Sequence, residues 1–167
     1  YRYWRALPPK GKIGVFMNAW YRDLFAGREP GELDAPSLDA GVRRVRQFER
    51  MLADEGVTLL KFWIHLSRAA LKERVHELTA DPATRWRVTA EDHWQARHYE
   101  RVERALEHCL KVTDQPSAPW HVIDGTDRQH RALEVGRVLL AGIEGRLSEP
   151  ARDRTRSAVA PARRLRA

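Results

Sequence analysis

The decapeptide "VTLLKFWIHL", residues 57–66, gives the clearest indication of fold class in this 167-residue chain. It is too continuously apolar for a strand with one face in water, and its Val, Ile, Phe and Trp content favours a strand buried on both faces. Ser67 follows at once and predicts the N-cap of a helix in which Leu71, Val75 and Leu78 recur at spacings of four and three. A buried strand followed directly by a helix is typical of a parallel sheet covered by helices.

Two patterns upstream predict a further strand and a further helix. The segment "PPKGKIGVF", residues 8–16, is a turn signal followed by a short apolar run, which predicts a strand. Residues 38–52 are amphipathic, and Gly56 marks the end of that helix. The apolar positions at helical spacing are Leu38, Val42, Val45, Phe48 and Leu52. Strand, helix, strand and helix in this order predict a parallel α/β sheet with right-handed crossovers.

The alternation is interrupted downstream. Residues 79–94, "TADPATRWRVTAEDHW", contain a proline and two arginines around Trp86, and Thr89 with Asp92 forms a weak capping box. One long helix is expected to follow, from Trp94 to Leu110. "APWHVID", residues 118–124, predicts the last short strand. The closing helix is marked by Leu133, Gly136, Leu140, Ile143 and Leu147.

Composition indicates one soluble domain with a real core. Hydrophobic residues make up 43% of the chain, and no stretch has the roughly 18 uncharged apolar residues of a membrane span. Cys109 is the single cysteine, so no disulfide forms within the chain, which fits a cytoplasmic location. Its helical neighbours Leu106 and Leu110 predict a buried, unreactive thiol.

The formal charge of +7 is unevenly distributed. Residues 148–167 hold six arginines against Glu149 and Asp153 and have no apolar period. We expect a flexible basic linker or tail there, with contact to a polyanion, nucleic acid included, as the alternative.

Five segments in order carry a family resemblance. They are "YWRALPPKGKIGVF" (residues 3–16), the pair Trp20 and Tyr21, "FERMLADEGVTLLKFWIHLS" (48–67), "DPATRWRVT" (81–89) and "SAPWHVIDGTDR" (117–128). Together they resemble the polyphosphate kinase 2 family, phosphotransferases that move phosphoryl groups between inorganic polyphosphate and nucleotides.

The resemblance implies an architecture and a set of ligands. The architecture is a P-loop-kinase-like three-layer α/β/α sandwich over residues 1–147, with a parallel sheet and a helical lid at about 79–112. The implied cofactor is Mg²⁺, and the implied partners are inorganic polyphosphate, AMP or ADP, and further copies of the chain, with no membrane and no specific nucleic acid. The implied residues that bind polyphosphate or nucleotide are Lys72, Arg74, Arg85, Arg87 and Arg128. A solvated basic face, and for Arg128 a surface charge at a helix start, are the alternatives.

Two departures from the family pattern qualify this expectation. The chain contains no G-x-x-x-x-G-K segment, so we expect an N-terminally truncated domain. Met17, Asn18 and Ala19 stand where the family carries an Asp, Arg, Ser run whose aspartate holds the metal, and a thioether is a poor ligand for Mg²⁺. No catalytic residue and no metal ligand is therefore assigned. The alternative to an active phosphotransferase is a silent pseudokinase module, such as the N-terminal module of a tandem protein, that binds polyphosphate or supports an active partner domain.

Several residues near the predicted strands are assigned structural roles. Trp20 and Tyr21 are expected to pack beneath the site, with direct contact to a ligand as the alternative. His65 is expected to be a structural histidine, with a catalytic base as the alternative. Asp124 and Asp127 are interpreted as helix caps. Lys61 shares one side of its strand with His65 and is given no role.

Overall fold

The computed structural model describes residues 3–21, residue 24 and residues 35–148. In chain order the described helices and strands are α1 (Ala35–Asp54), β1 (Lys61–His65), α2 (Arg68–Ala80), α3 (Ala90–Arg97), α4 (Tyr99–Thr113), β2 (Trp120–Asp124) and α5 (Arg128–Ser148). Short 3-10 turns lie at Trp4–Ala6, Ala19–Tyr21 and Arg85–Arg87. The chain is therefore an α/β protein with mostly helical content.

The sheet of the described residues consists of two parallel strands. Lys61 lies opposite Trp120 at the amino ends, and His65 lies opposite Asp124 at the carboxyl ends. Just after β2, the Gly125 N–H donates to the His65 carbonyl at 2.7 Å, and only glycine allows this close approach of the two chains. A Cβ at that position would lie 2.7 Å from the Ile64 side chain. The parallel sheet predicted from residues 57–66 and 118–124 is confirmed. The first strand is shorter than the apolar run, and the expectation that it is buried on both faces is wrong at Ile64, which is 37% exposed.

Helices cover the two faces of this sheet. On the face of Lys61, helices α1 and α4 pack together. They are joined by a hydrogen bond between His108 Nε2 and Asp39 Oδ1, which lie 2.6 Å apart. On the opposite face, α5 approaches Leu60 so closely that a Cβ on Gly142 would lie 2.8 Å from it. Sheet and helices thus form three layers. The buried apolar residues are Val42, Val45, Leu52, Ala96, Cys109, Ala118 and Ile123.

The predicted helix starts after β1 are confirmed. The Ser67 hydroxyl accepts a hydrogen bond from the Ala70 N–H at 3.2 Å and caps α2. Thr89 and Asp92 form a complete capping box at the start of α3, with both reciprocal bonds present. These local signals were readable because each needs only residues within one helical turn.

The single long helix expected from Trp94 to Leu110 is instead two helices, α3 and α4, which meet at His98. The backbone of His98 leaves the helical region, with φ −108° and ψ 28°. Its imidazole Nδ1 lies 2.9 Å from the Trp94 carbonyl, and its ring stacks on the Trp94 indole. Such local bonding of a side chain to the backbone competes with helix propagation.

The strand predicted from residues 8–16 is wrong for the structure described here. The turn is present, with Lys12 N–H donating to the Pro9 carbonyl and Gly11 at φ +79°. The residues after it form no strand, and Val15 is 88% exposed. Apolar residues in a short run favour an extended chain, but a strand also needs a neighbour to accept its ladder hydrogen bonds, and among the described residues β1 pairs with β2 alone.

The two ends of the described chain bear on two further expectations. Ser148, where the basic tail was predicted to begin, is the last residue of α5, and residues 149–167 lie outside the described residues. No helix in the described ranges combines the length and the apolar character needed to cross a membrane.

Candidate functional site

The carboxyl ends of the two strands form the edge where parallel sheets bind ligands. Asp127 caps α5 at this edge, since its carboxylate accepts from the His130 N–H at 2.6 Å, as predicted. Asp124 caps the preceding turn rather than the helix, because it accepts from the Thr126 N–H two residues on. The hydrogen bonds from the Thr126 hydroxyl and amide lower the pKa of Asp124 below its ordinary value.

A basic cleft opens between α2 and α3, just beyond β1. Its volume is about 380 Å³, and it is lined by Arg68, Lys72, His93, Ala96 and Arg97. Arg68 and Lys72 are four residues apart on α2, and His93 and Arg97 are four residues apart on α3. Residues at this spacing share one helix face, so each helix presents two basic side chains to the other.

The charges of the basic cleft are mostly uncompensated by protein carboxylates. Arg68 donates to Glu100 at 2.8 Å in an exposed ion pair. Within the described ranges no carboxylate lies within ion-pairing distance of Lys72 or Arg97. Positive charges that line a concave surface raise the local concentration of anions. The cleft can therefore attract an anionic ligand.

The structure separates the predicted site residues. Lys72 lines the basic cleft, whereas Arg74 points to an exposed ion pair with Glu77 at 3.5 Å. Arg85 and Arg87 lie on the turn between α2 and α3, and Arg128 is the exposed first residue of α5. Of the five, only Lys72 is among the residues that line the cleft.

Arg68, His93 and Arg97 were missed by the sequence analysis, although a signal for them exists. Each forms a basic pair at a spacing of four with a neighbour on the same helix, and both helix starts were predicted correctly from their caps. The fact that the two pairs face each other depends on how α2 packs on α3, which spacing alone does not give.

The Trp86 turn (Arg85–Arg87) presents an indole to solvent. Trp86 is 75% exposed, and its Nε1–H donates to the Ala83 carbonyl at 2.8 Å. The Arg87 guanidinium carbon lies 5.6 Å from the centre of the indole ring. The turn thus combines a fixed aromatic ring with a stacked cation.

A buried polar network lies near the amino ends of the two strands, away from the basic cleft. We call it the Glu49 cluster, and it consists of Trp20, Tyr21, Glu49, Lys61 and Thr113. Glu49 is fully buried and accepts hydrogen bonds from Trp20 Nε1 at 2.9 Å, Tyr21 OH at 2.6 Å and Lys61 Nζ at 2.7 Å. Lys61 Nζ also donates to the Thr113 carbonyl at 2.7 Å. Both carboxylate oxygens of Glu49 thus accept hydrogen bonds. Lys61, to which the sequence assigned no role, forms the ion pair that compensates the buried charge of Glu49.

Trp20 and Tyr21 are packing residues, as expected, but Tyr21 packs at the amino end of β2 rather than beneath the basic cleft. Trp20 lies edge-on to Phe48, and Tyr21 lies edge-on to Trp120, each with ring centres 5.0 Å apart. Burial, followed by the Glu49 charge, raises the pKa of the Tyr21 phenol well above its ordinary value. Burial lowers the pKa of the Lys61 ammonium, and its hydrogen bond to Glu49 opposes that shift.

Cys109 is buried, as predicted. Burial, with a smaller effect of the Asp39 charge, raises the pKa of its thiol to about 12. Because the thiolate is the reactive form, this cysteine is not a nucleophile at neutral pH.

The described residues contain no preformed set of protein ligands for a divalent metal ion. Met17 is 87% exposed, and the turn at Asn18 and Ala19, both with positive φ, offers no carboxylate. Within the described ranges no group of three or more His, Cys, Asp or Glu side chains is arranged to hold a metal. The turn leads into Tyr21, which contacts Trp120 at the amino end of β2. The expectation that Met17 to Ala19 follow the carboxyl end of a strand is therefore wrong here.

Known proteins similar to this chain agree on one family. The family model of polyphosphate kinase 2 (PPK2) matches residues 1–151. A polyphosphate:AMP phosphotransferase from Pseudomonas aeruginosa is 40% identical over 161 residues, covering 96% of this chain and 32% of that protein. An AMP/ADP-polyphosphate phosphotransferase from Meiothermus ruber is 32% identical, covering 85% of this chain and 54% of that protein.

A solved structure supports the same assignment. The crystal structure of polyphosphate kinase 2 from Arthrobacter aurescens superposes with a TM-score of 0.79 at 25% identity, covering 90% of this chain and 53% of that one. The chain thus spans from a third to about half of the length of these relatives. On the family match over residues 1–151, the chain belongs to the polyphosphate kinase 2 family.

Proposed function

We propose that the chain serves the transfer of phosphoryl groups between inorganic polyphosphate and AMP or ADP. The observation that carries this proposal is the basic cleft, where Lys72 and Arg97 face each other with no protein carboxylate of the described residues paired to them. The names of the relatives, which refer to polyphosphate with AMP or ADP, support the same substrates.

The chemistry of the cleft suits a chain of phosphates. Phosphoryl transfer depends on positioning and on positive charge rather than on covalent chemistry by the protein. The arginine guanidinium offers a planar fork that matches two phosphate oxygens, and the lysine ammonium acts as a point charge. In this proposal Arg68, Lys72 and Arg97 hold successive phosphates of the polyanion, and their charges neutralise it.

The helical lid at about 79–112 is part of the same proposal. One wall of the basic cleft, with Arg68 and Lys72, belongs to α2 outside the proposed lid. The other wall, with His93 and Arg97, belongs to α3 inside it. A movement of residues 79–112 would therefore open or close the cleft around its ligand.

Further parts of the expected assembly remain proposals. The divalent ion that phosphotransferases of this family generally need is proposed to be Mg²⁺, although the described residues contain no cluster to hold it. A second kinase module and a homo-oligomer are proposed partners. The silent pseudokinase alternative is not favoured, because the relatives at 40% identity bear the names of phosphotransferases.

The function is tested by removing the cleft charges in the whole protein. We expect Lys72→Ala and Arg97→Ala each to raise the KM for polyphosphate about tenfold in ADP formation from AMP, the size expected for one lost charge-assisted bond of ~1.5 kcal/mol. The matched control is Arg43→Ala, since Arg43 is an exposed arginine on α1, outside the cleft. An unchanged KM in both cleft variants, or an equal rise in the control, would contradict the proposal.

A further inference from the structure

Trp86 differs from the other tryptophans of the chain in its exposure. It is 75% exposed, while Trp4, the next most exposed, is 50% exposed and packs at 6.0 Å against Phe48. A large aromatic side chain held in water forgoes the hydrophobic stabilisation that burial would provide. A single exposed apolar side chain is common at protein surfaces, so the case for binding rests on how this ring is held and on the charges beside it.

The exposure of Trp86 is a property of an ordered turn. Thr84 N–H and Arg85 N–H both donate to the Asp81 carbonyl, at 3.0 and 2.9 Å. The Asp81 carboxylate accepts from the Ala83 N–H at 2.8 Å, so both the backbone and the side chain of Asp81 hold the turn in place. With its Nε1–H bonded to Ala83, the indole is presented in one fixed orientation. A ring held in this way is pre-organised for stacking.

The charges around the ring select for a ligand that is both planar and anionic. Arg87 stacks on the indole at 5.6 Å, and Arg85 is exposed beside it. Neither arginine has a carboxylate partner within ion-pairing distance in the described part of the chain. Polyphosphate would use the arginines but leave the indole unused, since it has no ring. A nucleotide would use both, because its base stacks and its phosphates pair with the guanidinium groups.

We propose that the Trp86 turn binds the base of the nucleotide substrate by stacking on the indole, while Arg85 and Arg87 contact its phosphates. This inference rests on the proposed function and adds the site of the base. The turn and the basic cleft belong to one helical hairpin, since α2 carries Lys72 and ends at Ala80 just before the turn. Eight residues of α2 correspond to about 12 Å of helix between them. The base site and the proposed polyphosphate site are therefore separate but close.

The test compares ligands with and without a base in the whole protein. Binding of AMP and of ribose 5-phosphate is measured by calorimetry for the wild type, Trp86→Ala and Trp86→Phe. A stacked base contributes roughly 1–3 kcal/mol, so we expect Trp86→Ala to weaken AMP binding about tenfold or more, and Trp86→Phe by no more than about threefold. Ribose 5-phosphate binding is expected to be the same in all three. Trp4→Ala is the control for loss of an exposed tryptophan elsewhere.

The outcomes separate this inference from the proposed function. Equal AMP binding by Trp86→Ala and the wild type, or an equal loss of AMP and ribose 5-phosphate, would overturn the base site. The base site would also be overturned if Trp86→Ala raised only the KM for polyphosphate, or if the wild type bound no AMP. AMP binding that depends on Trp86 in a protein without phosphotransferase activity would support the base site and count against the proposed function. Unchanged circular dichroism and melting temperature exclude misfolding of the variants.

Discussion

The Glu49 cluster and the basic cleft both concentrate charge, but they differ in what those charges face. In the cluster, Lys61 is buried and bonded to a carboxylate and a carbonyl. In the cleft, Lys72 is exposed and has no carboxylate partner among the described residues. A buried charge must be matched inside the protein because its desolvation is unfavourable, whereas an exposed, unmatched charge is left to bind solvent or ligand. Charge alone therefore does not indicate a binding site.

The largest effect is expected from Glu49→Gln, which tests whether the cluster is structural. The glutamine can still accept from Trp20 and Tyr21 but cannot neutralise Lys61, which would be left as an unpaired buried cation. Breaking a buried pair in this way destabilises by about 3–5 kcal/mol, and urea denaturation of the variant measures the loss. The control is Glu49→Gln combined with Lys61→Met, which should be less destabilised than the single variant. A loss below about 1 kcal/mol for Glu49→Gln would remove the contrast between the two regions.

An intermediate effect is expected from the buried thiol at alkaline pH. The pKa of Cys109 is raised from 9.0 to about 12, so the folded state keeps a proton that the unfolded state releases. This contribution to stability is complete below pH 9 and is lost as the pH rises towards 12. Relative to Cys109→Ala, the wild type should lose up to about 1.4 kcal/mol of unfolding free energy per pH unit in that window.

The comparison cancels other titrations, because Tyr21 and Lys61 are present in both proteins. Urea denaturation at several alkaline pH values would measure it. A difference between wild type and Cys109→Ala that stays constant with pH would show that the thiol is not protected by burial.

The smallest effect on stability is expected from Glu100→Gln, in the exposed region. Its ion pair with Arg68 is half in solvent, so its loss should change the unfolding free energy by less than about 1 kcal/mol. Removal of this carboxylate frees Arg68 for an anionic ligand. We expect the KM for polyphosphate to fall, by about two- to threefold at low salt. A strong loss of stability, or a rise in KM, would contradict the division between the two regions.

Local signals predicted much of this fold, and long-range packing explains most of what was missed. The caps at Ser67 and Thr89 depend on neighbours in sequence, and both were confirmed. The apolar run at residues 57–66 correctly predicted a strand, which covers Lys61–His65 of it. Residues 12–16 have the composition of a strand, but its formation depends on a partner strand that local sequence does not specify. The break at His98 has no glycine or proline to announce it.

The candidate site was less predictable than the fold, for the same reason. Lys72 was identified, but the residues opposite it on α3 were not, because the packing of α3 on α2 brings them together. The Glu49 cluster did leave a trace in the sequence. Glu49 lies among the apolar positions of α1, and Lys61 lies inside an apolar strand, so each is an ionisable residue at a buried position that requires a partner.

The spacing along the chain of the residues in the Glu49 cluster has a consequence for the order of folding. The bond between Lys61 and Glu49 closes a loop of 12 residues, those from Tyr21 and Trp20 close loops of 28 and 29, and that from Lys61 to Thr113 closes one of 52. Because chain entropy makes longer closures slower, we expect the nearest pair to form first and the contact with the end of α4 to form last. Until the Thr113 carbonyl is in place, the Lys61 ammonium stays partly hydrated. Full dehydration of this charge is therefore coupled to the docking of the end of α4, 52 residues along the chain.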